Sequence, residues 1–148
     1  MPNVDDIINN WRAFDPAVAA LEAFDDTHEV WADMNASQMY EGINAKDEPI
    51  TLDGMQGYAF STVQRKERKG QPTDRVTLRD TGDLYAGLFA ELTGDVIFTS
   101  TTVDYADDLE ERTGKDIFGL NEGNIKEFAV GPYLVSFLSF SKQLLKLE

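Results

Sequence analysis

The chain has no cysteine and one histidine, His28, among its 148 residues. The first absence excludes disulfides, thiolate nucleophiles and zinc ribbons. The second excludes a multi-histidine metal site, and any Ser-His-Asp relay would have to run through His28. Placed among helix-like spacings, His28 is expected as a polar position on an amphipathic helix. No apolar run approaches the roughly 18 residues that span a bilayer. The opening Met1-Pro2-Asn3-Val4-Asp5-Asp6 has neither the basic start nor the apolar stretch of a secretory signal. The expectation is a soluble chain made in the cytosol. A calcium loop needs spaced carboxylates, a turn glycine and a closing Glu; Asp104 to Glu111 lacks the glycine. Walker and dinucleotide glycine spacings are missing too, so no cofactor is expected. Asn35-Ala36-Ser37 is a formal sequon without a secretion signal and is discounted.

Positive charge is scarce: 13 Lys and Arg stand against 27 Asp and Glu, for a net charge of −14. Such a chain repels nucleic acid and anionic membrane at long range, so neither is an expected partner. The few cations are concentrated. Arg65, Lys66, Arg68, Lys69, Arg75 and Arg79 put six of the 13 within 15 positions, between acidic segments. That asymmetry suits a surface meeting an acidic surface on another subunit. It equally suits a solvated loop that balances nearby carboxylates.

Hydrophobic residues make up 42% of the chain, and its length is that of one domain. Residues 1–42 have helical periodicity. Val4, Ile7, Ile8, Trp11 and Phe14 share one face, and Asp15-Pro16 supplies an N-cap with Pro at the first helical position. The second helical stretch runs to Gly42, either as one helix or as two pieces broken near Asp25-Asp26. Residues 42–57 are expected to be loop with a short strand near Ile50-Thr51-Leu52. Residues 58–69 are expected to be a short polar helix stopped by Gly70-Gln71-Pro72. The period then changes to two. Residues 76–102 are expected as a β-hairpin region turning at Thr93-Gly94-Asp95, with Val96 and Phe98 among the residues that fix the fold. Residues 104–147 are expected to be mixed and mostly helical: a helix to Arg112 stopped at Gly114, a helix capped by Asn121 or Asn124, and a segment restarted by Gly131-Pro132. That last segment suits a helix, and a strand over Tyr133 to Phe140 is left open. The order predicts a single α+β domain, 1–148, with an antiparallel sheet and helices on one face.

One segment says more. Residues 69–85 contain Lys69-Gly70-Gln71-Pro72 followed by Asp74-Arg75-Val76-Thr77-Leu78-Arg79-Asp80-Thr81-Gly82-Asp83-Leu84. After the hairpin come Gly114-Lys115-Asp116-Ile117-Phe118-Gly119-Leu120 and Asn124-Ile125. This pair of blocks resembles small prophage structural proteins. Leu78, Thr81, Gly82, Leu84, Tyr105, Ala106, Leu109 and Glu110 also resemble the wider virion-morphogenesis and tail-completion families of tailed phages. The resemblance spans about half of the chain; the first 40 residues carry none. It implies a non-enzymatic structural protein involved in head–tail joining, a tail terminator or neck component. Such a part binds copies of itself, in a ring-like homo-oligomer, and other virion proteins. It would be in the host cytoplasm during assembly and at the virion neck or tail end afterwards.

Chemistry in the matched block fits this expectation. Asp80 and Thr81 are expected to bond local backbone amides and Gly82 to take a positive φ, making a sharp structural turn. The basic stretch before it has no apolar anchor, and Arg65, Lys66, Arg68 and Lys69 are the candidate interface. Two rivals remain. One is an acidic inhibitor or DNA mimic that binds a host protein, resting on the net charge. The other is an enzyme using paired carboxylates such as Asp25-Asp26, Asp107-Asp108 or Glu110-Glu111. Adjacent residues on a helix do not face each other, which disfavours it. Trp11, Trp31, Tyr133, Phe137 and Phe140 are expected in the core rather than as a base-stacking platform.

Overall fold

A computed structural model describes residues 3–114 and 116–147. Lys115 of the second matched block lies outside the described residues. Helix α1, Val4–Ala13, starts on a capping box. The Asn3 side chain accepts from the Asp6 N–H at 2.9 Å, and the Asp6 carboxylate accepts from the Asn3 N–H at 3.3 Å. Two residues later Asp15 caps α2 through the Ala17 N–H at 2.9 Å, with Pro16 in the first helical position.

Helix α2 runs unbroken through Pro16–Tyr40, 25 residues, and Gly42 follows with φ +76. Asp25 and Asp26 do not break it, because both project to the exposed side while Ala23, Phe24 and Thr27 stay buried. Its buried face is the spine of the molecule. The C-terminal half packs Ala32 and Met39 with Ile50, Val76, Leu84, Leu88 and Ile117. Its first half and middle pack Phe24 and Trp31 with Ala90, Leu120 and Phe128. Met39, Ile50, Ile117 and Val76 are fully buried, and each contributes roughly 1.5–3 kcal/mol by leaving water.

Residues 42–57 form a loop. The strand expected near residues 50–52 is reduced to the isolated bridges Ile43–Pro49 and Leu52–Met55. Helix α3, Phe60–Arg68, is the expected polar helix, and Gly70 ends it with φ +67. The β period then fails twice. Val76 to Leu78 pairs with no strand, because phenols take up its backbone. The Tyr58 hydroxyl accepts from the Thr77 and Leu78 N–H groups at 2.8 and 3.1 Å, and the Tyr85 hydroxyl donates to the Thr77 carbonyl. Asp83–Ala86 is a single helical turn, α4.

The hairpin is therefore shorter than residues 76–102. Strands β1, Leu88–Thr93, and β2, Val96–Thr101, pair antiparallel with Leu88 opposite Thr101 and Thr93 opposite Val96. The turn is the two residues Gly94-Asp95, with Gly94 at φ +64. Leu88, Ala90 and Leu92 face α2 together with Ile97, Thr99 and Thr101. The Trp31 indole N–H donates to the Thr99 hydroxyl at 3.0 Å across this interface. Val96 and Phe98, expected among the residues that fix the fold, fall on the opposite face and are 62% and 49% exposed. An alternation rule places residues on two faces but does not say which one meets the helix.

Helix α5, Ala106–Thr113, ends at Gly114 with φ +85. Helix α6, Glu122–Phe128, is capped by Asn121, which accepts from the Asn124 N–H at 2.9 Å. A wide turn over Ala129–Tyr133 holds Gly131-Pro132 and leads into α7, Leu134–Leu144, so Tyr133 to Phe140 is not a strand. Helix α7 packs along α2, tied by Ser136 donating to the Asp26 carboxylate at 2.6 Å. Mixed helices around a two-stranded antiparallel sheet make the expected α+β domain. Of the aromatics expected in the core, Trp31 meets Phe128 edge-on with ring centroids 5.1 Å apart, and Tyr133 stacks on Phe137. Tyr133, Phe137 and Phe140 are half-buried, and Trp11 is 55% exposed, so of the five only Trp31 lies in the core.

Candidate interaction surfaces

Two surfaces stand out, one charged and one apolar. The charged one is built by α3 and the corner at residues 78–82. A cavity of about 260 Å³ lies there, lined by Tyr58, Arg65, Lys66, Arg79, Asp80 and Arg112 among others. The candidate interface residues do not act alike. Arg65 and Arg68 are exposed. Lys66 is buried, with 6% of its surface exposed. Its ammonium donates to the Arg79 carbonyl at 2.6 Å and to the Gln71 side chain at 3.5 Å, and it sits 4.6 Å from the centre of the Tyr58 ring. Lys66 therefore holds the corner together and is withdrawn from the interface set. Lys69 is an exposed partner of Asp80.

The turn at Asp80, Thr81 and Gly82 forms as expected in two of its three parts. Gly82 takes φ +94, and the Thr81 hydroxyl accepts from the Asp83 N–H at 3.3 Å. Asp80 differs. Its carboxylate accepts from the Lys69 ammonium rather than from a backbone amide. That hydrogen bond, with the Lys69 charge behind it, holds the Asp80 carboxyl below the usual range. The basic segment is also less free than its composition implies. The Gln71 side chain donates to the Asp80 carbonyl at 2.8 Å, closing the segment onto the corner. Beside the cavity, Arg112 binds Asp53 through two nitrogens at 2.8 and 3.1 Å, and Asp53 is likewise lowered. A general acid would need a carboxyl moved upward; both of these move down.

Burial pushes the Tyr85 phenol well above its usual 10.0, with the Tyr58 and Tyr40 hydroxyls adding to the shift. A raised pKa means that the folded chain keeps the neutral phenol after the unfolded chain has lost its proton. The stability from this group is fully present below about pH 10 and declines as pH rises further. Urea midpoints measured between about pH 9 and pH 11 should fall more steeply for the wild type than for Tyr85→Phe. At neutral pH that variant should lose about 1 kcal/mol with its bond to the Thr77 carbonyl. Equal slopes would show that Tyr85 is not held neutral by the fold.

The apolar surface has a concave and a convex part. A groove of about 500 Å³ lies between α2, the hairpin tip and the α6–α7 turn. Phe24, Trp31, Leu92, Ile97, Phe128 and Tyr133 line it, and Asp95 is the charged residue among its walls. The convex part is α1, which carries no buried residue. Val4, Ile8 and Trp11 are 70%, 42% and 55% exposed. On the sheet's outer face Phe89 and Phe98 pair with ring centroids 6.2 Å apart, beside the exposed Val96. On α7, Val135 and Leu138 are also exposed. The α1 periodicity was visible in the sequence, but periodicity alone does not decide whether such a helix packs on its own sheet or turns toward a neighbour. The groove had no signal, since its walls come from three separate segments.

Asp25, Asp26, Glu22, Glu29 and His28 line a shallow depression of about 830 Å³ along α2, and His28 is half-buried there. Among the described residues, no group of three or more His, Asp or Glu is placed to hold a metal ion. No described helix is long and apolar enough to cross a membrane.

The described elements define an α+β domain with exposed apolar surface and a cavity lined by basic residues. In comparisons with protein-family models, curated proteins and solved structures, nothing matches the chain.

Proposed function

We propose that this protein is a structural part of a tailed-phage virion, of the tail-completion, terminator or neck type. It acts by binding copies of itself and neighbouring virion proteins, in the host cytoplasm during assembly and at the neck or tail end afterwards. The observation that carries the reading is the quantity of apolar surface left uncovered on ordered elements: the outer stripe of α1, the outer face of the hairpin and the free side of α7. Clustered apolar residues left exposed on ordered elements point to an interaction surface. The resemblance of the blocks at residues 69–85 and 114–125 to small prophage structural proteins supports this kind of assembly. The exposed Arg65 and Arg68 offer cations to an acidic neighbour, and every further copy of a chain with net charge −14 is such a neighbour.

The same net charge favours a second reading, an acidic inhibitor or DNA mimic that captures a basic host protein. Light scattering behind size-exclusion chromatography, with negative-stain images of each peak, separates the two. Assembly predicts a homo-oligomer that grows with protein concentration and shows a central hole. A monomer at every concentration that captures a basic protein from host lysate, in a complex dissolved by salt, would replace assembly with inhibition.

A further inference from the structure

We infer that the outer stripe of α1 docks into the apolar groove of a second copy of this chain, making a head-to-tail contact. The inference deepens the self-assembly reading and rests on it.

Val4, Ile7, Ile8 and Trp11 stand at i, i+3, i+4 and i+7, the spacing with which an amphipathic helix fills an apolar groove. The helix spans about 15 Å. It is preorganised by its capping box, so docking does not have to order it. It cannot fill the groove of its own chain as placed. Asn10 donates to the Leu145 carbonyl at 3.2 Å, which sets the Asn10 side of the helix against the end of α7. That contact leaves Val4, Ile8 and Trp11 facing away from the body.

The groove matches this stripe in chemistry and charge. Its walls are aromatic and aliphatic, and its rim exposes Val96 and Ile125. Asp95 at the hairpin tip is its one charged wall residue. Arg12, next to Trp11, is the one basic residue of α1. Among the described residues neither Arg12 nor Asp95 makes an ion pair. An Arg12–Asp95 pair across the contact sets the direction of docking. Stripe and groove are different patches, so the contact is heterologous. Repeated, it closes into a ring or runs on as a filament.

The absence of cysteine makes the test clean. In full-length protein, an Ile8→Cys variant mixed with a Val96→Cys variant should form disulfide-linked dimers under mild oxidation. A chain carrying both changes should give a ladder of higher oligomers. Ile8→Cys mixed with Val135→Cys, exposed but outside the groove, should give neither. In sedimentation, Trp11→Asp and Val96→Asp should each weaken self-association about 30-fold or more, the effect of losing a hot-spot contact. Mixed together they should form a one-to-one pair that stops there, since each retains the half that the other lacks. Both positions are exposed, so the circular dichroism of the variants should match the wild type. If Trp11→Asp oligomerises like the wild type, the α1–groove contact is wrong while self-assembly stands. If the wild type itself neither sediments as an oligomer nor cross-links, both fall.

Discussion

Asn35→Ala should cost about 3 kcal/mol of stability and lower the urea midpoint without changing the slope of the transition. Asn35 is fully buried in the C-terminal half of α2. Its side chain donates to the Ile117 and Gly119 carbonyls at 3.2 and 3.3 Å and accepts from the Gly119 N–H at 3.0 Å. Alanine leaves those backbone groups without that partner, and each buried group so stranded costs about 1–3 kcal/mol. The loss stays below the full sum because Gln38, one turn on, also donates to the Gly119 carbonyl at 3.0 Å. Gln38 further accepts from the Asn121 N–H and the Asn124 side chain. Asn35 and Gln38 thus act as a clasp that holds residues 117–124, within the second block, on the spine helix. A change within about 0.5 kcal/mol, typical of a surface site, would show that apolar packing of Ile117 alone holds the block.

Lys66→Ala should cost about 2–4 kcal/mol, whereas Arg65→Ala and Arg68→Ala should each stay within about 0.5 kcal/mol. All three lie within four positions and have like charge, so sequence alone ranks them together. Lys66 alone is buried, with its ammonium on the Arg79 carbonyl and over the Tyr58 ring. Removing it takes away a charge-assisted hydrogen bond, a cation–π contact and a packed stem at once. Lys66→Met keeps the stem and should recover part of the loss. Chemical denaturation of the four variants checks this order. Equal losses at the three sites would mean that the corner is not organised around Lys66. Lys66→Glu would unfold the corner, so charge reversal aimed at an interface belongs at Arg65 and Arg68.

The contrast shows what a linear sequence discloses. Caps and stops were legible because they act through nearest neighbours: Asp15-Pro16 and Asn121 open helices, and Gly42, Gly70 and Gly114 close them. Element type failed where a distant side chain took over the backbone. Val76 to Leu78 alternates like a strand, yet Tyr58 and Tyr85 satisfy its polar groups. Face was not legible either. Val96 and Phe98 carry strong β propensity, but only the position of α2 decides that Ile97 and Thr99 turn inward.

The candidate surfaces divide in the same way. Charge clustering pointed to the region of Arg65 and Arg68 and gave no means of separating Lys66 from it. The amphipathicity of α1 was plain, but periodicity does not decide whether such a helix packs on its own sheet or turns outward. The structure decides it: α2 already fills the core from Ala19 to Met39 with one uninterrupted face. What remains for α1 is a surface that its own chain leaves open.

The central claim is that the protein becomes part of a virion. The direct test is mass spectrometry of purified tailed particles from cells that carry its gene, with gold-labelled antibody to locate the chain. The account predicts the protein in those particles at a fixed copy number, labelled at the neck or one end of the tail. Particles that lack it, with the protein found only in lysate bound to a host protein, would contradict the account.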